Sequence, residues 1–300
     1  MAPGGSAWKE GIFMKSLIVL LGAMGVSMSP IFVRYSTAPS MVLVLYRAVF
    51  AAVLFTPYVL AKHREELRAV KRRTLLLGIL SGIFMGLQFV TYFESIRKTS
   101  IAAAAVLVNT EALFVTLGTV LFMHARLKKQ AWLAIALTFA GSIVVALADA
   151  GEGTAALGNM LALLGAIFGA AYTMTGTVCR RSGLSALVYS YIMCIAAAVT
   201  VLVCVLISGT APVGYAPVNY LTTLGMALCC TIGGHTVYSW ALKFLSPSFV
   251  STVKMMEPVF ASIWGLFLFG EVPGLLVIVG SIFVIGGIAL YSRFAEDDAN

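Results

Sequence analysis

Apolar stretches of about 20 residues alternate with short polar connections along the whole chain. A helix needs about 20 apolar residues to cross the ~30 Å hydrocarbon layer of a bilayer. Ten stretches qualify: 16–33, 40–61, 74–96, 100–123, 130–148, 157–179, 184–208, 217–243, 247–269 and 272–292. The connections leave no room for a separate water-soluble domain. The predicted fold class is all-α and integral to the membrane, with ten transmembrane helices. The first stretch follows a basic segment but leads straight into a second span, so it reads as a retained helix rather than a cleaved signal.

Composition adds the solvent. Of the residues, 60% are hydrophobic and 11% charged, against about 25% charged in a soluble domain. So little charge does not coat a water-facing surface, and the lipid bilayer is the first partner. The net charge of +8 sits in short clusters between apolar runs, with no basic face, which excludes nucleic acid. With a cytoplasmic N-terminus, inner segments hold 15 Lys and Arg and outer loops 3 (Arg34, Arg97 and Lys98). That asymmetry places both termini in the cytoplasm and predicts a multi-pass plasma-membrane protein, in bacteria one of the inner membrane. The five cysteines show no C-x-x-C spacing and read as small buried hydrophobes; no metal or cofactor is expected.

The two halves echo each other. LLGAMG at 20–25 parallels LLGAIF at 163–168. Tyr92 and Tyr238, Ser100 and Ser246, Glu111 and Glu257, and Phe114 and Phe260 share one offset, 146 residues. Five helices per half is an odd number, so the second half (149–300) enters the membrane from the side opposite to the first (1–148). Inverted repeats of this kind place a transport site near the midplane between the halves.

Residues Trp240 to Leu290 carry Ala241-Leu242, Glu257-Pro258-Val259, Gly270-Glu271 and a glycine-rich final helix. The segment resembles the repeat unit of the drug/metabolite transporter superfamily, EamA type. In the first half Arg47 resembles that family's second-helix Arg, whereas Ala112 replaces the proline and His124-Ala125-Arg126 replaces the Gly-Glu pair. Within the superfamily the chain is similar to amino-acid exporters, including those for aromatic amino acids. The resemblance implies a central cavity lined by helices 1, 3, 4, 6, 8 and 9, and a monomeric secondary transporter moving a small molecule.

Each ionisable group within a span costs about 2.5–3.5 kcal/mol at mid-helix and needs a reason. Four qualify: Arg47, Glu111, Lys254 and Glu257. Arg47 lies roughly 10 Å and Glu111 roughly 16 Å below the same surface, so a pair between them is feasible. Lys254 and Glu257 share a helix face. These groups either tie the bundle together or act in coupling. Pro30 and Pro258 should kink helices 1 and 9 near their centres, as static bends or as hinges. Gln88, Tyr92, Asn109, Tyr172, His235 and Tyr238 are the candidate substrate-binding residues. Their polar tips either hold helices together or present hydrogen bonds on aromatic walls to a small amphipathic solute. An intramembrane enzyme is the rival class, and the sequence offers it little: there is no G-x-S-x-G, no P-loop, and no Asp securely inside a span.

Overall fold

A computed structural model of the chain describes residues 17–123, 129–148, 153–238 and 256–296. Helix is the regular structure throughout these residues. In the first half α1 is Leu17–Tyr35, α2 Ser40–Lys62 and α3 Arg72–Ile96, with one helical turn, Arg64–Arg68, before α3. α4 comprises Ile101–Asn109 and Glu111–Met123, and α5 is Lys129–Ala148. In the second half α6 is Gly153–Arg181 and α7 is Ala186–Ile207. α8 runs Pro217–Gly225 and continues as Met226–Thr236; α9 is Glu257–Phe269 and α10 is Leu275–Glu296. Every predicted stretch thus holds helix. Five helices (α1, α2, α3, α6 and α7) are long and apolar enough by themselves to cross a membrane.

Helix is the form such stretches must take in lipid, because every backbone N–H and C=O is then satisfied within its own segment. The outer surface agrees: Ile207, Phe267 and Leu275 are 82%, 77% and 76% exposed, and water-soluble monomers rarely expose contiguous apolar surface of this kind. Polar residues stop the helices locally. Ser100 and Ser185 accept hydrogen bonds from the backbone N–H groups of Ala103 and Val188, capping α4 and α7. Gly270 ends α9 with φ 67°, and Glu271 N–H reaches back 3.2 Å to the Gly265 carbonyl, a cap that needs a residue free to turn left-handed.

The packing is crosswise. α5 lies along α10, α2 along α7, and α4 against α9, each joining equivalent helices of the two halves. α3 packs on α6 and α7, while α8 packs on α1 and α2. Exchanging the halves maps the first three pairs onto themselves and the α3 pairs onto the α8 pairs. Lipid tails are as apolar as Leu, so helices in a bilayer gain by close dispersion contact, and small residues permit it. A Cβ on Gly141 of α5 would lie 2.7 Å from the Gly280 carbonyl oxygen of α10, and one on Gly280 would lie 2.8 Å from that of Gly141. Gly82 admits α7 in the same way: its Cβ would meet that of Ala196 at 2.6 Å.

Polar contacts gather at the two ends of the bundle. At one end Arg34 pairs with Glu271 at 3.0 Å, and Glu271 also accepts from Ile101 N–H at 3.0 Å. There too, Asn219 accepts from the N–H groups of Thr37 and Ala38 at 2.8 and 2.9 Å. At the opposite end Glu66 accepts from Ser185 N–H at 2.6 Å and pairs with His63 at 2.9 Å. Burial pushes the Glu66 carboxyl up, but the Ser185 and His63 hydrogen bonds together hold it below its ordinary value.

Two expectations are corrected. The stretch 100–123 is not one helix: α4 breaks at Thr110, although no proline is there. α8 is not α-helical throughout, because Met226–Thr236 forms a π-helix, a wider turn in which Thr236 Oγ1 donates to the carbonyl of Thr231, five residues back.

Candidate cavity between the helix breaks

Helices α1, α4 and α8 depart from regular α geometry, and these departures surround one space together with the start of α9. α1 breaks at Met28, whose N–H turns to the Gly25 carbonyl at 3.3 Å; the helix restarts at Ser29 with Pro30 in its first turn. α4 breaks at Thr110, whose hydroxyl donates to the Leu107 carbonyl at 2.7 Å while Asn109 Nδ2 donates to Ala105 at 2.8 Å. α9 starts after a turn at Met256, with Glu257 as its first residue and Pro258 next. The π-helix of α8 completes the set. Irregular backbone at membrane depth survives where protein surrounds it or where it lines a water-filled space.

Such a space is present. A cavity of about 120 Å³ lies among α1–α4 and α6–α9, where one water needs roughly 10–15 Å³ on the same measure. It has room for roughly ten waters or one small organic solute. Towards the Arg34–Glu271 end it is capped by a solid cluster that includes Leu43, Phe93, Ile96 and Ile101, all fully buried.

Of the sequence candidates, Gln88, Tyr92, Asn109, Tyr172 and His235 line the cavity. Tyr238 does not; it is buried behind the wall and donates to Glu257 Oε1 at 2.7 Å. Among the described residues the Tyr92 and Tyr172 hydroxyls make no hydrogen bond, and neither is sealed off, so both remain available in the cavity. Pro30 and Pro258 stand beside the cavity at the break of α1 and the start of α9 without lining it. The expected kink at Pro258, with its freed Lys254 carbonyl, lies partly outside the described residues, as does any Lys254–Glu257 pair.

The feasible Arg47–Glu111 pair is not formed. Arg47 and Glu111 both line the cavity, but each has other partners. Arg47 is 3% exposed. Its Nε donates to Thr231 Oγ1 at 3.1 Å and its Nη1 to Ser29 Oγ at 3.2 Å, and its guanidinium lies 4.0 Å over the Phe89 ring. Glu111 accepts from Thr173 Oγ1 at 2.5 Å and from Gln88 Nε2 at 3.3 Å. Compatible depths did not make a pair because the two helices turn these side chains towards different neighbours.

Gly169 explains why Glu111 sits where it does. A Cβ there would lie 2.6 Å from Glu111 Oε2 and 2.7 Å from Gln88 Nε2. The missing side chain is the room in which carboxylate and amide meet. Gly169 therefore shapes the site as well as the packing of α6.

Other wall residues were not singled out as binding candidates: Phe89, Ser190, Cys194, Thr231 and Thr236, with α2 and α7 joining the lining helices. Thr231 sits four residues before His235, a spacing that could have drawn notice. The remainder are apolar or small residues whose facing depends on neighbouring helices.

Comparisons with known proteins agree with this architecture. A model of the EamA-like transporter family matches the chain twice, over residues 13–147 and 156–293. A protein of Archaeoglobus fulgidus named an uncharacterized transporter is 24% identical over 254 residues, 83% of this chain and 86% of that one. One solved crystal structure, with 16% sequence identity, superposes with a TM-score of 0.65 over 96% of this chain and 99% of the other; that likeness concerns the fold alone.

Proposed function

Because this chain belongs to the EamA-like transporter family, we propose that it is a secondary transporter exporting amino acids, aromatic ones favoured, by alternating access. In this reading ten helices cross the membrane as two inverted five-helix repeats, 1–148 and 149–300, in a monomer of the plasma membrane with both termini cytoplasmic.

The observation that carries the reading is the cavity itself. It is enclosed by both halves, lies where α1, α4 and α8 break and α9 begins, and sets polar tips on aromatic and aliphatic walls. Broken helices around a midplane site are a transporter arrangement. Tyr92, Tyr172, Gln88 and Asn109 would meet the polar head of the solute, and Phe89, Met85 and Phe55 its apolar side chain. Topology draws support from the loops: those assigned outside by charge (Arg34, Thr99) contact each other and Glu271, and those assigned inside (Glu66, Ser185) contact each other. The packed cluster at the Arg34–Glu271 end then closes the outer side of the cavity.

Vesicles holding the purified protein, given a labelled amino-acid panel with and without a pH gradient, test this directly. Aromatic amino acids should move fastest. Tyr92→Phe and His235→Ala should slow transport while the protein stays folded, with recognition weakened by about 1–3 kcal/mol per lost group. Transport of another metabolite or a drug, with no amino acid moved, would reassign the substrate within the same architecture.

A further inference from the structure

We propose that Arg47 is the anchor for a carboxylate on the solute, and that carboxylate recognition decides which aromatic solutes are accepted. The inference rests on the transport reading above and names a chemical requirement of the same cavity.

A guanidinium at this depth is costly to insert, and Arg47 is buried. Among the described residues no carboxylate lies within ion-pair distance of it. Its protein partners are two neutral hydroxyls and an aromatic face, Ser29, Thr231 and Phe89. These hold the group in one orientation without neutralising its charge.

The orientation leaves Nη2 available. Nε and Nη1 are engaged, whereas among the described residues Nη2 donates to no protein atom and is not sealed from the cavity. With Nε and Nη1 each holding one hydroxyl, both N–H groups of Nη2 remain, charged donors that suit a carboxylate oxygen. A docked carboxylate would supply the charge that the protein withholds.

The rest of the wall gives the solute a direction. The position 146 residues after Arg47 is Met193, which also lines the cavity. Among the described residues the cavity's Arg or Lys side chain is therefore on the first half, with the carboxyl groups of Glu111 and Glu257 elsewhere on the wall. A carboxylate at Arg47 leaves an ammonium group on the same solute free to face a glutamate.

Four probes share one phenyl ring and isolate the charge: phenylalanine, phenylalanine amide, phenethylamine and 3-phenylpropionate. Binding to the purified full-length protein is measured for wild type, Arg47→Lys and Arg47→Met. Wild type should prefer phenylalanine over its amide by about tenfold or more. In Arg47→Met that ratio should fall to about one while phenethylamine still binds, and Arg47→Lys should keep part of it. Phenethylamine binding reports the fold of each variant, and the wild-type ratio needs no variant at all. Equal wild-type affinity for phenylalanine and its amide, or a ratio unchanged in Arg47→Met, overturns the anchor. Binding of 3-phenylpropionate but not phenylalanine keeps the anchor and overturns the amino-acid reading; binding of none of the probes overturns both.

Discussion

Glu111 and Glu257 occupy equivalent places in the two halves, 146 residues apart, yet their surroundings differ. Each is the first residue of a helical segment and is preceded by a turn residue, Thr110 in α4 and Met256 in α9. The backbone is alike and its causes are different. In α4 the turn is held by hydroxyl and amide groups that bond back to carbonyls; in α9 Pro258 stands at the start of the segment. Side-chain partners diverge further. Thr173 of α6 donates to Glu111, whereas its counterpart on α1, Ser27, accepts from Trp264 Nε1 at 3.0 Å. The α4 and α9 segments thus start alike while their side-chain partners have become lopsided.

The sharpest way to break this comparison is at Gly169, whose counterpart 146 residues earlier is Ala23. Gly169→Val should cost about 3 kcal/mol, the upper part of the usual overpacking range, because its side chain would displace both Glu111 and Gln88. Ala23→Gly should cost only about 1 kcal/mol, from helix propensity and one lost methyl group. Chemical unfolding in detergent would rank the two; equal costs would mean the Glu111 pocket is no tighter than its partner.

A middle-sized effect separates the two hydroxyls. Thr173→Val removes a bond to a carboxylate and should cost about 1.5–3 kcal/mol, whereas Ser27→Ala removes one between neutral groups and should cost about 0.5–1.5 kcal/mol. The reverse ranking, measured in the same way, would mean that Glu111 does not depend on α6.

The smallest effect lies at the bundle ends, where each half lends a carboxylate to a helix start in the other: Glu66 to α7 and Glu271 to α4. The Glu66 carboxyl is held below its ordinary value of 4.5. Its contribution is therefore complete at neutral pH and is lost as pH falls below that value through the depressed one. Melting temperatures of wild type and Glu66→Gln should differ slightly at neutral pH and converge in acid. A difference that grew on acidification would contradict the depressed value.

The sequence by itself determined the helices and their order. The length of an apolar run is a local property, and lipid forces it into helix whatever its neighbours do. The 146-residue repeat, the embedded charges and most of the polar cavity wall were legible for the same reason: polar residues in apolar runs are conspicuous. Tertiary structure alone decided who meets whom. Arg47 and Glu111 lie at compatible depths, but helix rotation and the gap at Gly169 give them separate partners. The break at Thr110 has no proline to announce it, and the π-helix of α8 has no composition of its own. Those features arise from backbone and side-chain contacts between crossing helices, which no single run of residues encodes.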